Sequence, residues 1–559
     1  MSGCGIRSIR EHGKEADNSK RAIVFQTMSP LKILIADPIA EEGLARLRQA
    51  AGIEFDVRVG LSPEDLADAV GQYDGLIIRS GVKVTAEVLA RSGRLRGIAR
   101  AGVGVDNVDL AAATAAGVLV MNTPDANTIS TAEHTMAMML ALMRRIPSAH
   151  SHVAGGGWKR GDYVGEQLAG KTLGIVGLGR VGRAVAERAL AFQMKVLAFD
   201  PFIRAESAMD GRVTVVKQVD DLLPMVDCLT LHAALSDDTR NLINSARLAK
   251  MKKSAVLINC ARGGLVDEAA LAAALDLGAL AGAAVDVFEC EPPKSCPLLS
   301  ARNVVLTPHL GASTQEAQLA VSTEAVDEML DFLIHGTIRN AVNVTGLPTD
   351  LSARDRALLD LTGRMAAIIA AWAAEGVDRV EVTTAGGESL ASLGPTLALQ
   401  AVVGLMNPHI EARLNLVNAR PFTEQRGIEV RHVNQSSRMD FPDMVKVRFE
   451  RGQEFHEVQG AVFLDNRPRI LAIDGYRMEM VPEGFLVMIF NDDRPGVIGT
   501  VGTLFGRRNI NIADMMLSRR DKMALMVIKC DAALPDTMLE ELRQSSAIVS
   551  VRTVLLPGI

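Results

Sequence analysis

Short apolar runs alternate with helical patterns along the first third of the chain. Residues 33–36, 74–79 and 97–100 have the length and composition of buried strands, and residues 41–50 have helical spacing. Short apolar strands that alternate with helices are typical of a parallel sheet covered by helices. We therefore predict that the chain begins with an α/β domain.

A second alternating block contains a glycine-rich loop between a strand and a helix. Apolar residues 173–176 predict the buried strand, and helical spacing resumes at the end of the loop. The loop is Gly177-Leu178-Gly179-Arg180-Val181-Gly182. Such glycines permit a tight turn and bring backbone N–H groups close to a pyrophosphate at a helix N-terminus. The pattern predicts a Rossmann fold whose loop binds a dinucleotide; a purely structural turn is the alternative.

An acidic residue ends the next predicted strand, residues 196–199. Asp200 lies at about the 20-residue offset at which an acid holds the adenosine ribose of a dinucleotide. Its negative charge would repel a 2′-phosphate, so we predict NAD rather than NADP as the cofactor. A surface aspartate with no such role is the alternative.

Three later strands are each followed by a residue capable of acid–base or anion chemistry. Arg262 follows residues 255–259, Glu291 follows residues 284–288, and His309 follows residues 304–307. Ligands of open parallel sheets bind at the carboxyl ends of the strands, so these three side chains can converge. Arginine binds a carboxylate, histidine accepts a proton near neutral pH, and a carboxylate orients the histidine. The set predicts hydride transfer from a 2-hydroxy acid.

Composition limits the other classes of function. The chain has 559 residues, a net charge of −6 and six scattered cysteines, which favours several domains and reduced thiols. The sequence shows no basic stripe, signal peptide or apolar run of membrane-spanning length, and no convincing metal motif. We expect a cytoplasmic protein without nucleic-acid or membrane partners and without a metal.

These motifs together resemble the D-isomer-specific 2-hydroxyacid dehydrogenases. The resemblance implies that Arg262, Glu291 and His309 are the catalytic set. It also places cofactor contacts in the glycine loop and at further positions, which gives a full expected set of Gly177, Gly179, Arg180, Val181, Gly182, Asp200, Val103, Ala233, Cys260, Asp286, Gly311 and Ala312. Threonine is common in this family at the positions of Val103 and Ala233, so only backbone contacts are expected there.

The resemblance also implies a substrate and a domain division. Arg79 and Arg100 end predicted strands of the first domain, and with Ser80 and Asn127 they are the expected substrate-facing residues. Their charge favours a phosphorylated substrate, 3-phosphoglycerate, with a side reduction of 2-oxoglutarate. The expected division is a disordered leader (1–27), a flavodoxin-like substrate domain (28–125 and 312–346), an inserted Rossmann domain (126–311), an α/β intervening domain (347–482) and a ferredoxin-like ACT domain (483–559).

The C-terminal βαββαβ pattern resembles an ACT domain, which pairs with a second copy and binds amino acids. The resemblance implies that Asn491, Asp493 and Asn511 hold L-serine as an inhibitor, and that the protein is a homotetramer. A dimerisation module without a ligand is the alternative for this tail. For the whole chain, the alternatives are a dehydrogenase of another D-2-hydroxy acid and a non-catalytic NADH-sensing protein.

Overall fold

The computed structural model describes residues 30–203, 207–344, 346, 351–373, 376–411, 413–435 and 443–558. The predicted leader therefore lies outside the described residues. The described chain folds into four sheets, two of them mainly parallel and two mainly antiparallel.

The first sheet is fully parallel, with the strand order β2-β1-β3-β4-β5. This is the flavodoxin-like order, which confirms the predicted fold of this region. Its strands are β1 (Leu31–Ile35), β2 (Ile53–Val57), β3 (Gly75–Ile78), β4 (Gly97–Arg100) and β5 (Leu119–Asn122). The helices between them are α1 (Glu41–Gln49), α2 (Pro63–Val70), α3 (Ala86–Leu89) and α4 (Leu110–Ala115).

Two helices and a short 3₁₀ turn lead from the first sheet to the second. They are α5 (Thr128–Met143), α6 (Ile146–Ala154) and the turn Arg160–Tyr163. Seven buried residues of α5 recur at helical spacing and form one broad face, as expected for a helix that packs against a sheet. The sequence pattern suggested apolar residues on several faces, but the structure buries only this one.

The second sheet has the strand order β13-β12-β11-β10-β6-β7-β9-β8 and is parallel except for its β8–β9 edge. Its strands are β6 (Thr172–Val176), β7 (Lys195–Phe199), β8 (Ser207–Ala208), β9 (Val213–Val216), β10 (Cys228–Leu231), β11 (Val256–Asn259), β12 (Gly282–Val285) and β13 (Val304–Leu306). Its helices are α7 (Arg180–Ala191), α8 (Val219–Leu222), α9 (Ser245–Leu248), α10 (Glu268–Asp276) and the 3₁₀ turn Pro297–Leu299. The order reverses between β6 and β10, as in Rossmann folds.

The chain then returns to the first sheet through α11 (Gln315–His335). This helix packs against α1, β3 and β4, while α5 packs against β11, β12 and β13. The two crossing helices therefore place the carboxyl ends of both parallel sheets on either side of a common cleft.

The third sheet is mixed, with the order β15-β14-β16-β17-β18-β19. Its strands are β14 (Arg379–Ala385), β15 (Glu429–Asn434), β16 (Met444–Arg451), β17 (Glu454–Val462), β18 (Pro468–Ile473) and β19 (Tyr476–Met480). Its helices are α12 (Ala353–Ala370), α13 (Glu388–Met406), the 3₁₀ turn Asn407–His409 and α14 (Ala419–Arg426). The α/β character predicted for this region is confirmed.

Among the described residues, one helical stretch, Glu388–His409, is long and apolar enough to cross a membrane. The expectation that the chain has no apolar run of that length is therefore wrong. Leu393, Leu397 and Val402 of this stretch are buried in one core cluster, and α13 packs against α12 and β14. Its apolar composition thus fits the interior of a folded domain.

The fourth sheet is antiparallel, with the order β21-β22-β20-β23. Its elements are β20 (Gly484–Asp492), α15 (Val497–Arg507), β21 (Ile512–Arg520), β22 (Met523–Cys530), α16 (Asp536–Gln544) and β23 (Ile548–Leu556). This is the predicted ferredoxin-like βαββαβ topology. Both faces of the sheet are covered: Val487 and Ile489 pack with α15 and α16, and Leu486 and Met488 join the core around α12.

Candidate active site

A cavity of about 430 Å³ lies in the cleft between the two parallel sheets. Loops that follow strands of both sheets line it, as expected for α/β folds, which bind ligands beyond strand carboxyl ends. The lining residues are Val103, Gly104, Val105, Asp106, Pro124, Asn127, Thr131, Gly179, Arg180, Val181, His232, Ala233, Ala234, Leu235, Cys260, Ala261, Arg262, His309, Gly311 and Ala312. Most of the residues expected at the cofactor are among them.

The glycine loop has the shape that a dinucleotide requires. Gly177 has φ +93°, and a Cβ at this position would lie 2.6 Å from the backbone oxygen of His232. A Cβ at Gly182 would lie 2.1 Å from the Gly177 oxygen, so α7 packs closely against the loop. A Cβ at Gly179 would enter open space on the cavity side. A phosphate can therefore approach the N-terminus of α7, and the loop fits a pyrophosphate.

Asp200 lies beside this loop at the end of β7. Its carboxylate accepts hydrogen bonds from the backbone N–H groups of Leu178, at 2.8 Å, and Phe202, at 2.9 Å. The carboxylate is thus fixed next to the glycine loop. Arg180, at the first position of α7, forms an ion pair across the cleft with Asp125.

His309 and Glu291 are directly paired. The His309 Nδ1 lies 2.8 Å from the Glu291 Oε2, and both side chains are partly exposed. Burial raises the pKa of Glu291, but hydrogen bonds from His309 and the Phe288 N–H outweigh it, so the pKa lies below its ordinary value. Glu291 is therefore ionised at neutral pH. An ionised carboxylate only accepts hydrogen bonds, so Nδ1 carries the proton of this pair, and Nε2 is the acceptor of the neutral ring.

Arg262 lines the same cavity as His309. Its Nε donates to Asp106 Oδ2 at 3.0 Å, and its Nη1 donates to the Ala261 backbone oxygen at 2.7 Å. Asp106 belongs to the loop after β4, so this ion pair connects the two sides of the cleft. The structure thus brings Arg262 and His309 to one cavity, with Glu291 behind the histidine.

The expected substrate residues lie at the first-sheet side of the cleft. Arg100 is mostly buried, and burial, aided by the charges of Arg262 and Arg79, lowers its pKa to about 10. The Nε of Arg100 and the Oδ1 of Asn127 are buried without a hydrogen-bond partner among the described residues. The loop with Arg79 and the exposed Ser80 is held by Asp37, which accepts from the Arg79 N–H at 2.7 Å. Cationic and unpaired polar groups therefore gather at this end.

The structure adds functional candidates that the sequence analysis missed. His232 follows β10, lines the cavity and bonds to Thr230 at 3.1 Å; burial lowers its pKa to about 4. His232 could have been predicted from the sequence, because it directly follows a recognisable strand. Asp106 was not detectable in this way, because its role depends on which cation faces it across the cleft.

His134, Cys260 and Asp286 have potential metal-ligating atoms within 4.8 Å of one another. Hydrogen bonds already occupy the Asp286 carboxylate, including those from Thr307 Oγ1 at 2.6 Å and the Gly311 N–H at 2.9 Å. Burial raises the pKa of the Cys260 thiol to about 12, so it is not a thiolate at neutral pH. The chemistry of this group favours a hydrogen-bonded cluster over a metal centre.

In the tail, the structure does not bring the three expected effector residues together within one chain. Asn491 pairs with Ala524 at one end of β22, whereas Ile512, next to Asn511, pairs with Cys530 at the other end. The two ends of this strand are roughly 20 Å apart.

The three side chains share no hydrogen-bond or ion-pair partner among the described residues. Asn491 has a buried Oδ1 without a hydrogen-bond partner among the described residues. Asp493 pairs with Arg519 at 3.3 Å, and Asn511 donates to Asp531 at 2.7 Å. The expected serine site is therefore not complete in a single chain.

Comparison with known proteins identifies the family. The model for the NAD binding domain of D-isomer specific 2-hydroxyacid dehydrogenases matches residues 136–311. The models for the D-3-phosphoglycerate dehydrogenase intervening domain and the ACT domain match residues 356–474 and 485–546. A D-3-phosphoglycerate dehydrogenase from Synechocystis is 38% identical over 536 residues, which cover 96% of each chain. The chain belongs to the D-3-phosphoglycerate dehydrogenase family.

Other relatives and structures agree with this membership. The D-3-phosphoglycerate dehydrogenase of Bacillus subtilis is 38% identical and aligns over 94% of this chain and 100% of its own. Among solved structures, the TT0316 protein of Thermus thermophilus has a TM-score of 0.52 and 37% identity, covering 56% of this chain and all of its own. The NAD-bound formate dehydrogenase of Staphylococcus aureus has a TM-score of 0.51 and 30% identity, covering 56% of this chain and 99% of its own. The family's Rossmann region is an NAD-binding domain, which agrees with the predicted cofactor.

Proposed function

We propose that the chain oxidises 3-phosphoglycerate to 3-phosphohydroxypyruvate with NAD⁺, the first step of L-serine biosynthesis. The observation that carries the proposal is the His309–Glu291 pair at 2.8 Å, which opens on the cavity that Arg262 and the glycine loop share. A protein that only senses NADH needs no such paired base beside an arginine. The family membership and the names of the relatives support the choice of substrate.

The chain's own residues divide the chemistry among them. The free Nε2 of His309 takes the proton of the substrate hydroxyl, and Glu291 stabilises the imidazolium that results. Arg262 binds the substrate carboxylate and polarises the developing carbonyl, exchanging its contact with Asp106 for one with the substrate. NAD⁺ would supply the hydride acceptor when bound. The glycine loop, Arg180 and Asp200 would hold it. Cys260, Asp286, Gly311 and Ala312 are the proposed nicotinamide and ribose contacts, and Val103 and Ala233 would offer backbone contacts.

The phosphate end of the substrate is assigned to the cationic side of the cleft. Arg79, Arg100, Ser80 and Asn127 offer the donors that a dianionic phosphate needs. The unpartnered Arg100 Nε and Asn127 Oδ1 support this assignment, because buried polar groups without partners are costly unless a ligand satisfies them. A distal carboxylate has similar charge, so a side reduction of 2-oxoglutarate belongs to the same proposal.

We also propose that L-serine inhibits the enzyme through the tail, in a cytoplasmic homotetramer. Asn491, Asp493 and Asn511 are the proposed serine contacts. Because Asn491 and Asn511 lie at opposite ends of β22, the site needs a second copy of the chain. The separation of these residues in one chain supports an effector site at a subunit interface.

A substrate panel tests the proposal directly. Reduction of 3-phosphohydroxypyruvate by NADH should far exceed reduction of pyruvate, glyoxylate and unphosphorylated hydroxypyruvate, and serine should suppress it. Arg262→Ala should abolish this turnover while NADH still binds, measured by its fluorescence. Equal rates with phosphorylated and unphosphorylated acids would point to another D-2-hydroxy acid, and normal turnover in Arg262→Ala would refute the catalytic assignment.

A further inference from the structure

The turn that carries His309 is held in a conformation that few residues adopt. His309 has φ +55°, in the left-handed region that is unfavourable for a side chain with a Cβ. Such strain persists only where surrounding contacts impose it. The source of those contacts therefore decides whether the imidazole stays where the reaction needs it.

Those contacts come mainly from Asp286, which is fully buried beneath the turn. Its backbone oxygen accepts from the His309 N–H at 2.9 Å. Its carboxylate accepts from the N–H groups of Leu310, at 2.7 Å, and Gly311, at 2.9 Å. One carboxylate thus binds two successive amides of the turn, and it can do so fully only while it is ionised.

A buried carboxylate needs compensation, and α5 supplies it through His134. The Nε2 of His134 lies 3.2 Å from Asp286 Oδ1 and 3.3 Å from Thr307 Oγ1. Burial raises the pKa of Asp286, but hydrogen bonds from His134 and Thr307 and from the Leu310 N–H bring it below its ordinary value.

The other titratable groups near this carboxylate do not take the place of His134. The Cys260 thiol stays neutral because burial raises its pKa to about 12. Glu291 is acidic, and the charge of Asp286 acts to raise its pKa. The Nδ1 of His309 is already paired with Glu291. His134 is thus the titratable side chain whose ring nitrogen faces the carboxylate, with Nε2 at 3.2 Å from Asp286 Oδ1.

Helix α5 is joined to the same turn at a second point. Thr131 Oγ1 donates to the Gly311 backbone oxygen at 3.2 Å, one helical turn before His134. Asn127, a proposed substrate contact, immediately precedes α5. The helix therefore connects the substrate end of the cleft with the turn that presents the imidazole.

We propose that His134 is a positioning residue for the reaction: by donating to Asp286 it fixes the turn that carries His309. The inference rests on the proposed function of His309 as the base. His134 lines no part of the cavity that the structure shows, so it acts through Asp286 and touches neither substrate nor cofactor.

The test compares three variants of the full-length enzyme. His134→Leu removes the donor, His134→Gln retains an N–H donor of similar reach, and Glu133→Gln changes a charge at the exposed neighbouring position, where Glu133 pairs with Arg188. We expect kcat to fall roughly ten- to hundredfold in His134→Leu, the scale of a small misplacement of a reacting group. His134→Gln should recover most of it, and Glu133→Gln should match the wild type. NADH affinity, measured by fluorescence, should stay within about twofold in all three.

Two further readouts separate positioning from a general loss of structure. In His134→Leu the acid limb of kcat/KM should move to higher pH, because Asp286 loses a stabilising donor and is protonated more easily. Amide hydrogen exchange of the Leu310 and Gly311 N–H groups should accelerate in the NADH complex, while exchange in strands β11 and β13 stays unchanged. Exchange needs no substrate, so this result stands even if the proposed substrate is wrong.

Some outcomes would overturn the proposal. Wild-type kcat, pH profile and amide exchange in His134→Leu would show that Asp286 holds the turn unaided. A parallel loss of kcat and NADH binding that His134→Gln does not rescue would show that the residue serves only the packing of α5.

Discussion

The residues of the two proposed sites, one in the cleft and one in the tail, are arranged in opposite ways. In the cleft, Asp106, Arg262 and His309 are far apart in sequence but line one cavity. In the tail, Asn491 and Asn511 are close in sequence but lie at opposite ends of β22. Arg262 and His309 both follow strands of one parallel sheet, whose carboxyl ends lie at one edge. Strands β20 and β21 also run in the same direction, on either side of β22, but Asn491 is at the end of β20 and Asn511 precedes the start of β21, so these two residues lie at opposite edges. The proposed catalytic residues can therefore meet within one chain, whereas the proposed serine contacts can meet only if a second copy supplies one of them.

The largest expected effect is the loss of turnover in the cleft variant His309→Ala. Loss of the base should lower kcat by about 10²–10⁴-fold, the usual contribution of general acid–base catalysis. NADH binding should be preserved, because the glycine loop is separate from the histidine. Stopped-flow hydride transfer and a fluorescence titration measure the two quantities. Since the proposed catalytic residues all come from one chain, the loss should not depend on protein concentration. Recovery of activity at high concentration would contradict the comparison.

The next effect concerns the choice of cofactor. Asp200→Ala removes the carboxylate that would face a 2′-phosphate, so the ratio of kcat/KM for NADP to that for NAD should rise on the order of a hundredfold. The charge-preserving variant Asp200→Glu is the matched control. An unchanged ratio in the alanine variant would mean that the carboxylate serves only its bonds to Leu178 and Phe202.

A mixing experiment tests the tail. Asn491→Ala and Asn511→Ala should each abolish inhibition by serine and leave basal activity intact. If each site takes one asparagine from each of two chains, co-refolded mixtures of the variants should regain part of the serine sensitivity. Initial rates at a fixed serine concentration provide the measurement. Mixtures that stay insensitive, or single variants that remain fully inhibited, would break the contrast between cleft and tail.

The smallest expected effect is on the stability of the protein, and it comes from Glu328 in the catalytic half of the chain. Burial raises the pKa of Glu328, in α11, to about 8, although a hydrogen bond from Asn340 opposes the shift. The folded state therefore keeps a proton that the unfolded state releases above its ordinary pKa, and this term makes the protein less stable as pH rises from about 4.5 towards 8.

Glu328→Gln should remove this loss of folding stability at high pH, because glutamine does not titrate. Its melting temperature should exceed that of the wild type by roughly 2–4 °C at pH 8 and differ little at pH 5. Differential scanning calorimetry at the two pH values gives the comparison, with Glu133→Gln as an exposed control. A gain of equal size at both pH values would argue against a titrating carboxyl.

Sequence reasoning identified the classes of fold because they depend on local patterns. The alternation of strands and helices predicted the parallel sheets, and the glycine loop predicted the Rossmann region. Sequence reasoning missed that α13 is apolar over a membrane-spanning length. Buried helices and membrane helices share such a composition, and only the packing of α13 shows that it belongs to a folded core. The domain boundaries and the roles of the site residues stay predictions.

Within the site, the residues that follow strands could be predicted from the sequence, but the side chains that pair with them could not. Arg262 and His309 follow recognisable strands, so topology alone places them at one edge. His134 lies inside a helix and Asp106 inside a loop, and nothing local distinguishes them from other surface or core residues. Their importance depends on Asp286 and Arg262 lying within hydrogen-bond distance, which is a property of the whole fold.

The amino-acid sequence by itself determined the order of strands and helices, the phosphate-sized turn before α7 and the acid that follows β7. These features follow from backbone geometry and side-chain periodicity over a few residues. Only the tertiary structure decided that His309 pairs with Glu291, that His134 lies against Asp286, and that Asn491 and Asn511 stay apart. Hydrogen bonds form within about 3 Å, and no pattern along the chain specifies distances of that size between remote residues.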